Sequence, residues 1–179
     1  MSLLFEAEVE ERVVIVDEFD QAVGCVEKLL AHRTGLLHRA FSVVILNPRG
    51  EMLLQQRALS KYHSGGLWSN ACCGHPRLGE GTVAAGERRL QEELGISCTL
   101  EEAGSFVYTA NLDDSLVEHE YDHVLLGTAD TNPIPDPLEA MAWRWFNVRD
   151  LTREMSINPS HFTTWFPMVV AVVREGLTV

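Results

Sequence analysis

A thiol, an imidazole and two adjacent carboxylates fall within one short loop and the helix predicted after it. The loop supplies Cys73 and His75, and the helix supplies Glu92 and Glu93. A thiol and a carboxylate can each donate or accept a proton, and imidazole and carboxylate can both ligate a metal ion. No other stretch of the sequence combines proton transfer with metal binding, so this run is the first candidate for chemistry.

A second candidate is a pair of carboxylates in a predicted strand. Glu118 and Glu120 are two residues apart, so their side chains leave the same face of the strand. Two carboxylates held this close repel each other unless a cation neutralises them or one keeps its proton. A solvated strand face, which Asp122 extends, is the alternative and is the simpler interpretation of these residues alone.

Three histidines could extend these candidates into a metal site. His32 and His38 lie on either side of a polar bend, and His75 lies in the cysteine loop. If they converge with the glutamate pair, nitrogen and oxygen donors of this kind suit Zn²⁺, Mn²⁺ or Fe²⁺. A single histidine is more often structural, and spacing alone does not show convergence. No comparable argument for metal binding applies to the remaining histidines, which are His63, His119, His123 and His161.

Cys73 is the cysteine with a chemical interpretation. It precedes Gly74, whose missing side chain lets another group approach the thiol closely, and a histidine follows. This arrangement could form a nucleophile or a proton donor. The alternative is a buried, inert thiol, which is how we interpret Cys25, Cys72 and Cys98.

Two further patterns are weak by themselves. Trp165 lies between Phe162 and Phe166, where core packing is the default and a functional role needs a cation at the indole face. Arg89 and Glu93 are four residues apart and share a helix face, as they would on an ordinary surface helix.

Alternating apolar patterns and turn residues predict strands with helices between and after them. Asn47–Gly50 is predicted to be a turn between two strands, and Asp113-Asp114 another. The best helix candidate is capped near Thr82 and ends at Gly95. The predicted strands are 13–16, 40–46, 51–57, 105–110, 117–126 and 142–148, and the predicted helices are 82–94 and 165–175. This order predicts an α/β layered sandwich with a mixed sheet.

Length, charge and hydropathy limit the class of protein. The chain has 179 residues, which favours a single domain over 1–179, and residues 1–12 are expected to form a poorly ordered N-terminal extension. A net charge of −12 argues against nucleic-acid or anionic-membrane partners. No apolar run approaches a membrane span, no secretory signal is visible, and four cysteines are too few for a disulfide framework. We therefore expect a cytoplasmic protein with reduced thiols, either a monomer or a weak homodimer.

The cysteine loop and its helix nearly match the Nudix signature, Gly-x5-Glu-x7-Arg-Glu-U-x-Glu-Glu-x-Gly-U, where U is aliphatic. The matching positions are Gly74, Glu80, Arg88, Leu90, Glu92, Glu93, Gly95 and Ile96. The second glutamate of the signature is replaced by Arg89. In a Nudix hydrolase that glutamate helps to assemble metals around the scissile diphosphate. An arginine there removes a ligand and adds an anion contact.

Four segments carry a narrower resemblance. From about Val14 to Val173 the chain resembles the type I isopentenyl-diphosphate isomerases, a branch of the Nudix superfamily. The segments are Glu27-Lys28-x3-His32 with His38–Ser42, Gln56–Lys61, Trp68–Pro76 and Val117–Glu120. Arg-Ala-Leu-Ser-Lys and Trp-x-Asn-x-x-Cys-Gly-His-Pro are specific to this branch. The resemblance implies a Nudix-type α/β/α sandwich and interconversion of isopentenyl and dimethylallyl diphosphate through a tertiary carbocation, in isoprenoid biosynthesis.

The resemblance also implies roles for individual residues. Cys73 and Glu120 would be the proton-transfer pair on opposite faces of the substrate. Tyr108 would hydrogen-bond near Glu120, and Trp165 would face the carbocation. Glu93 would bind a Mg²⁺ that bridges to the diphosphate. The diphosphate would be neutralised by Lys28, Arg57, Lys61 and Arg89. A second divalent metal, Mn²⁺ or Zn²⁺, would be held by His32, His38, His75, Glu118 and Glu120.

Two other functions stay open at this point. One is a Nudix hydrolase that cleaves a nucleoside or prenyl diphosphate, for which Cys73 would be dispensable. The other is a catalytically silent Nudix-like binding module, which the intact Cys73, Glu120 and Glu93 argue against.

Overall fold

The computed structural model describes residues 11–112 and 115–177 of the chain. The strands are β1 (Arg12–Val16), β2 (Ala22–Glu27), β3 (His38–Leu46), β4 (Glu51–Arg57), β5 (Trp68–Ser69), β6 (Cys72–Gly74), β7 (Leu100–Asn111), β8 (Val117–Thr128) and β9 (Ala140–Asn147). The helices are α1 (Lys28–Thr34), α2 (Thr82–Leu94), α3 (Val148–Ile157) and α4 (Phe166–Leu177), with a 3₁₀ turn at Pro159–His161. The Asp113-Asp114 turn and residues 1–10 of the expected extension lie outside the described residues, whereas Arg12 already begins β1.

Strand β3 is the centre of a mixed sheet. One edge pairs in parallel with β8 along its whole length, from His38 opposite Glu120 to Leu46 opposite Thr128. The other edge is met in turn by β1, β6 and β4, all antiparallel. The predicted turn at Asn47–Gly50 is confirmed, but the hairpin that it closes pairs only Leu46 with Met52. Because β4 then leaves to pair with β9, β6 fits against β3 and carries the cysteine loop into the sheet.

The sheet buries both of its faces. Val44, Met52 and Val124 pack in one cluster with residues of α3 and α4. Their neighbours Val43, Leu53 and Leu125 point the other way and pack against α2. This alternation is the period-two pattern of strands. Helices therefore cover both faces, and the predicted α/β sandwich with a mixed sheet is confirmed.

Helix α2 has the predicted bounds, and Gly95 ends it in the left-handed conformation with φ 65°. The N-cap predicted near Thr82 is the preceding residue, Gly81, and no side chain caps this end. The helix lies very close to the sheet, because a Cβ on Gly86 would be 2.5 Å from Leu125 Cδ1. This contact fixes where the polar face of α2, with Arg89 and Glu93, meets the cysteine loop.

Several elements were missed by the sequence prediction, namely β2, α1, α3 and the short strands β5 and β6. Helix α1 is the one that matters for function. Its first turn is capped by the Glu27 carboxylate, which accepts from the amides of Leu29 and Leu30. It ends at Gly35 with φ 65°, a sharp bend that returns the chain to β3 at His38. Among the described helices, none has the length and apolar character of a membrane span.

Candidate active site and metal centre

One pocket collects most of the residues that the sequence singled out. The predicted residues that line it are Lys28, Arg57, Lys61, Cys73, His75, Arg89, Glu93, Tyr108, Glu118, Glu120 and Trp165. His32 and His38 are fully buried and approach Glu118 and Glu120 from inside the protein. The pocket encloses about 640 Å³ of empty space, counting its open mouth.

The sheet register explains the convergence. Glu118, Glu120 and Asp122 alternate along β8 on the same face as Val124 of the core. Glu120 lies opposite His38 on one neighbouring strand and opposite Tyr108 on the other. The solvated strand face that these acidic residues could have formed is therefore excluded, because all three are buried.

The histidine cluster, His32, His38, His75, Glu118 and Glu120, has the donor set of a metal centre. His38 Nε2 is 3.5 Å and His75 Nε2 is 3.0 Å from Glu120 Oε1. His32 Nε2 is 3.9 Å from Glu118 Oε1. The Nε2 atoms of His32 and His38 are buried without a hydrogen-bond partner, while their Nδ1 atoms contact the carbonyls of Lys28 and Leu36. The Nε2 lone pairs of these histidines are directed towards the two carboxylates, and a divalent cation could bind between them.

Protonation within this cluster also favours a cation. Burial lowers the pKa of His32, and it lowers the pKa of His75 to about 4, so both rings are neutral near pH 7. Burial, reinforced by the charge of Glu120, raises the pKa of Glu118. Against its own burial, the neighbouring rings of His38 and His75 lower the pKa of Glu120. The Tyr108 hydroxyl donates to Glu118, and it is 2.8 Å from Glu120 Oε2. One hydroxyl therefore lies between the two carboxylates.

Cys73 lies across β3 from Glu120 in the same pocket. It pairs with Ser42 on β3, with its Sγ 3.6 Å from Ser42 Oγ. Asn70 Nδ2 donates to the same sulfur at 3.2 Å. Burial, together with the charge of Asp122, raises the pKa of the Cys73 thiol to about 12. Cys73 is therefore a protonated thiol at neutral pH. Gly74 leaves room here for Phe41 and the stem of Arg89, since a Cβ would meet them at 3.0 and 3.6 Å.

All four cysteines are free, as expected. Cys72 is buried in the core, but Cys25 and Cys98 are only partly buried, contrary to their interpretation as buried thiols.

The basic cluster consists of Arg57, Lys61, Arg89, Glu93 and Glu139. Glu139 accepts from Lys61 at 2.6 Å and from Arg89 at 3.0 Å. Arg89 also donates to Glu93 at 2.7 Å, as the helix spacing predicted. Burial raises the pKa of Glu93 although Arg89 opposes the shift. Lys28 lies apart from this cluster and is paired with Glu11 at 3.0 Å.

Trp165 and Arg57 meet at the edge of the basic cluster. The Arg57 guanidinium lies 5.5 Å from the centre of the Trp165 ring and donates to the carbonyl of His63. Trp165 precedes α4 instead of belonging to it, and its Nε1 is buried without a partner. The ring thus lies at the pocket wall next to a cation, whereas Phe162 and Phe166 stack on each other at 5.4 Å in the core.

Sequence reasoning missed six polar residues that line the pocket: Glu11, Ser42, Tyr62, His63, Asp122 and Glu139. His63 had been set aside, yet its Nε2 is 3.1 Å from Glu118 Oε1. A usable signal was its position two residues after Lys61, in the segment that follows Arg-Ala-Leu-Ser-Lys. Glu139 carried no such signal.

Comparisons with known proteins agree with this geometry. The model of the NUDIX domain family matches residues 36–166. An isopentenyl-diphosphate Delta-isomerase of Serratia proteamaculans is 51% identical over 157 residues, covering 88% of each chain. An isopentenyl-diphosphate Delta-isomerase of Burkholderia multivorans is 49% identical over 170 residues, covering 95% of this chain and 96% of its own.

Solved structures confirm the Nudix-type fold. A Deinococcus radiodurans protein superposes with a TM-score of 0.74 at 20% identity, over 89% of this chain and 97% of its own. A MutT protein of Methanosarcina mazei gives a TM-score of 0.64 at 18% identity, over 78% and 94% of the two chains. At these identities the likeness concerns the fold alone. The family match and the two bacterial relatives go further: the chain belongs to the NUDIX domain family and, within it, to the isopentenyl-diphosphate Delta-isomerases.

Proposed function

We propose that the chain interconverts isopentenyl diphosphate and dimethylallyl diphosphate for isoprenoid biosynthesis, by adding and removing a proton through a tertiary carbocation. One observation carries the proposal. Cys73 and Glu120 line the same pocket, and His75 and Glu118 of the histidine cluster line it together with the basic cluster. The names of the relatives, of which the two reported are 49–51% identical, support the same reaction.

Proton transfer falls to Cys73 and Glu120. In the forward direction one of them gives a proton to the terminal alkene carbon, and the other takes a proton from the carbon on the far side of the cation. The substrate gains one proton and loses another, and proton exchange with solvent returns Cys73 and Glu120 to their starting protonation states before the next turnover. A thiol with a pKa of about 12 is a weak acid, and it therefore needs to be held directly against its substrate. Tyr108 hydrogen-bonds to Glu120 and orients its carboxylate.

The carbocation needs an electron-rich neighbour that does not react with it. The indole of Trp165 meets this need, because its ring face attracts a cation without forming a bond. Arg57 lies at 5.5 Å from the same ring and competes for it, but a diphosphate would hold the guanidinium through stronger contacts. Exclusion of water protects the cation from conversion to an alcohol.

The diphosphate belongs in the basic cluster. Arg57, Lys61 and Arg89 line one part of the pocket, and Lys28 adds a fourth positive charge. Glu93 would hold Mg²⁺ there, and the histidine cluster would hold a second divalent ion, Mn²⁺ or Zn²⁺. When bound, these ions supply charge neutralisation to the diphosphate and to the buried carboxylates. Arg89 occupies the place of a Nudix glutamate, which favours binding of the diphosphate over its cleavage.

Hydrolysis of a nucleoside or prenyl diphosphate is the alternative function. It is disfavoured because Arg89 forms ion pairs with Glu93 and Glu139 where a hydrolase would gather metal ligands. A cytoplasmic location, a monomer or weak homodimer, and the lack of nucleic-acid and membrane partners remain predictions from the sequence.

Incubation with isopentenyl diphosphate and Mg²⁺ in deuterated water tests the proposal. Dimethylallyl diphosphate carrying deuterium is the expected product. Cys73→Ala and Glu120→Gln should each lower its formation by about 10³-fold, within the range for general acid–base groups. Cys72→Ala is the matched control, since that thiol is in the core and should leave the rate nearly unchanged. Release of phosphate with an undiminished Cys73→Ala variant would establish the hydrolase instead.

A further inference from the structure

We propose that His63 is an additional ligand of the ion in the histidine cluster, so that four imidazoles and two carboxylates close its coordination sphere. The inference rests on the proposed metal centre. His63 lies in the loop between β4 and β5, away from every segment that was expected to supply a ligand. Its ligand nitrogen is brought to the cluster by the course of that loop.

The contacts of the His63 ring point its Nε2 at the cluster. Nδ1 is 3.2 Å from Ser64 Oγ, and Nε2 is 3.1 Å from Glu118 Oε1. The ring is stacked against His32 with centroids 6.3 Å apart, and only 8% of the residue is exposed. Arg57 fixes the backbone by donating to the His63 carbonyl at 3.3 Å. A surface histidine would not be held at both ring nitrogens and at its carbonyl.

The donor atoms fall into two groups that share one residue. One group is His32, His38, His75 and Glu120, and the other is His32, His63 and Glu118, with the ligand atoms of each group within 4.8 Å of one another. His32 Nδ1 is 2.7 Å from the carbonyl of Lys28, so only Nε2 is available to bind metal. Because one nitrogen binds one ion, a single ion held by His32 is within reach of both groups, although the ligand atoms of the two groups do not all lie within 4.8 Å and have to move closer to enclose it.

The donor spacings within each group suit such an ion. With metal–ligand bonds of about 2.1 Å, neighbouring donors in an octahedron are ~3.0 Å apart and opposite donors ~4.2 Å. The pairs that include Glu118 and Glu120 range from 3.0 to 3.9 Å. His32 Nε2 is also buried and without a partner, so it is already directed at this position.

A coordination sphere filled by protein side chains limits what the ion can do. An ion without a free position cannot present a bound water or a substrate oxygen, and this is the pattern of structural sites. The ion would then act by fixing the two carboxylates and by setting how tightly Glu120 holds its proton. Four nitrogen donors favour Zn²⁺, Fe²⁺ or Mn²⁺ over Mg²⁺.

Cobalt(II) substitution tests the coordination number without using the isomerase reaction. The full chain is loaded with one Co²⁺, and its visible spectrum is recorded with and without azide. Wild type should show weak, six-coordinate bands that azide leaves unchanged. His63→Ala should show stronger bands that shift with azide, and added imidazole should restore the wild-type spectrum. A chelator should remove Co²⁺ from the variant at least about 10-fold faster.

Two further variants keep the outcome interpretable. His161→Ala removes an exposed histidine from the 3₁₀ turn and should match wild type in every measurement. His63→Gln keeps a side chain in the space if His63→Ala fails to fold. Identical, azide-insensitive spectra for wild type and both His63 variants would overturn the inference, as would an azide shift already present in wild type. If the metal behaves as expected but no isomerase activity is found, the proposed function fails and the ligand assignment stands.

Discussion

The histidine cluster and the basic cluster both place charged groups in one pocket, but they balance the charge differently. Glu118 and Glu120 face the rings of His32 and His75, whose pKa burial lowers, with a tyrosine hydroxyl between the two carboxylates. In the basic cluster, Glu93 and Glu139 are directly paired with Arg89 and Lys61. The first cluster contains no lysine or arginine, and the second already contains ion pairs.

This difference indicates what each cluster is ready to bind. Two buried carboxylates without a cationic partner cost free energy until a metal ion or a proton neutralises them. In the basic cluster the opposite charges already neutralise each other. An incoming diphosphate therefore has to compete with Glu93 and Glu139 for Arg89 and Lys61. We therefore expect loss of metal to affect both folding and catalysis, and changes in the basic cluster to act mainly on substrate affinity.

The largest expected effect concerns Cys73, which lines the same pocket. Asp122 raises the pKa of its thiol and Arg57 lowers it, with burial as the main cause of the final value of about 12. At pH 8, iodoacetamide should label Cys73 roughly 10³-fold more slowly than a free cysteine, because only the thiolate reacts. Mass spectrometry of the labelled peptides measures this rate.

The pH dependence of that labelling has a definite sign. The folded protein favours the neutral thiol of Cys73. The contribution of this thiol to folding stability is therefore complete below the ordinary thiol pKa and is lost as the pH rises towards 12. The labelling rate should therefore increase steadily from pH 8 to 10. A plateau near pH 8 would mean that the thiolate forms readily and that the basic cluster controls the thiol.

Removal of metal should have the next largest effect. After dialysis against a chelator, we expect isomerase activity to fall at least about 10²-fold and the unfolding temperature to fall by about 5–10 °C. The second figure corresponds to an ion at about a hundred times its Kd. Calorimetry before and after adding back Mn²⁺ or Zn²⁺ checks it. Equal unfolding temperatures with and without metal would contradict the contrast between the clusters.

Reversing the charge at position 89 should act on the basic cluster alone. Arg89→Glu should lower kcat/KM about 10–100-fold, mostly through KM, because it removes a charged hydrogen-bond donor to the diphosphate. Arg88→Glu is the matched control, since Arg88 binds Glu80 and Glu92 and is not among the residues that line the pocket. Steady-state kinetics measure both variants, and an unchanged KM for Arg89→Glu would count against this site for the diphosphate.

The smallest effect is expected from Glu139, which competes with the substrate. Glu139→Gln should lower KM about threefold, because Lys61 and Arg89 are no longer neutralised by the protein and a partly exposed ion pair contributes little. Glu92→Gln also removes a carboxylate that contacts Arg89, but Glu92 is not among the pocket residues, so KM should stay constant. A higher KM in Glu139→Gln would show that this carboxylate assists binding.

Local patterns predicted the parts of the molecule that depend on neighbours along the chain. The bounds of α2, its end at Gly95 and the Arg89–Glu93 pair follow from helix periodicity and from spacing. The strand β8 and its acidic alternation were also visible, but whether Glu118 faces solvent or the interior depends on the strands beside it. Burial of that face is a tertiary property.

The parts that were missed depend on contacts across the chain. Strand β6 has three residues, too few to show alternation, and it forms only because β4 leaves β3. His63 and Glu118 are 55 positions apart in the sequence, and nothing local relates them. Glu139 reaches Lys61 because the amide of Ala58 donates to the Glu139 carbonyl at 2.9 Å.

A crystal structure with a saturated five-carbon diphosphate, Mg²⁺ and Mn²⁺ tests the central claim most directly, because this analogue binds without reacting. The predicted result places the diphosphate on Arg57, Lys61 and Arg89, with Mg²⁺ at Glu93 and Mn²⁺ among the histidines. The carbon chain should then lie between the sulfur of Cys73 and the carboxylate of Glu120. A diphosphate bound to the ion of the histidine cluster, or a carbon chain with both groups on one side, would contradict the account.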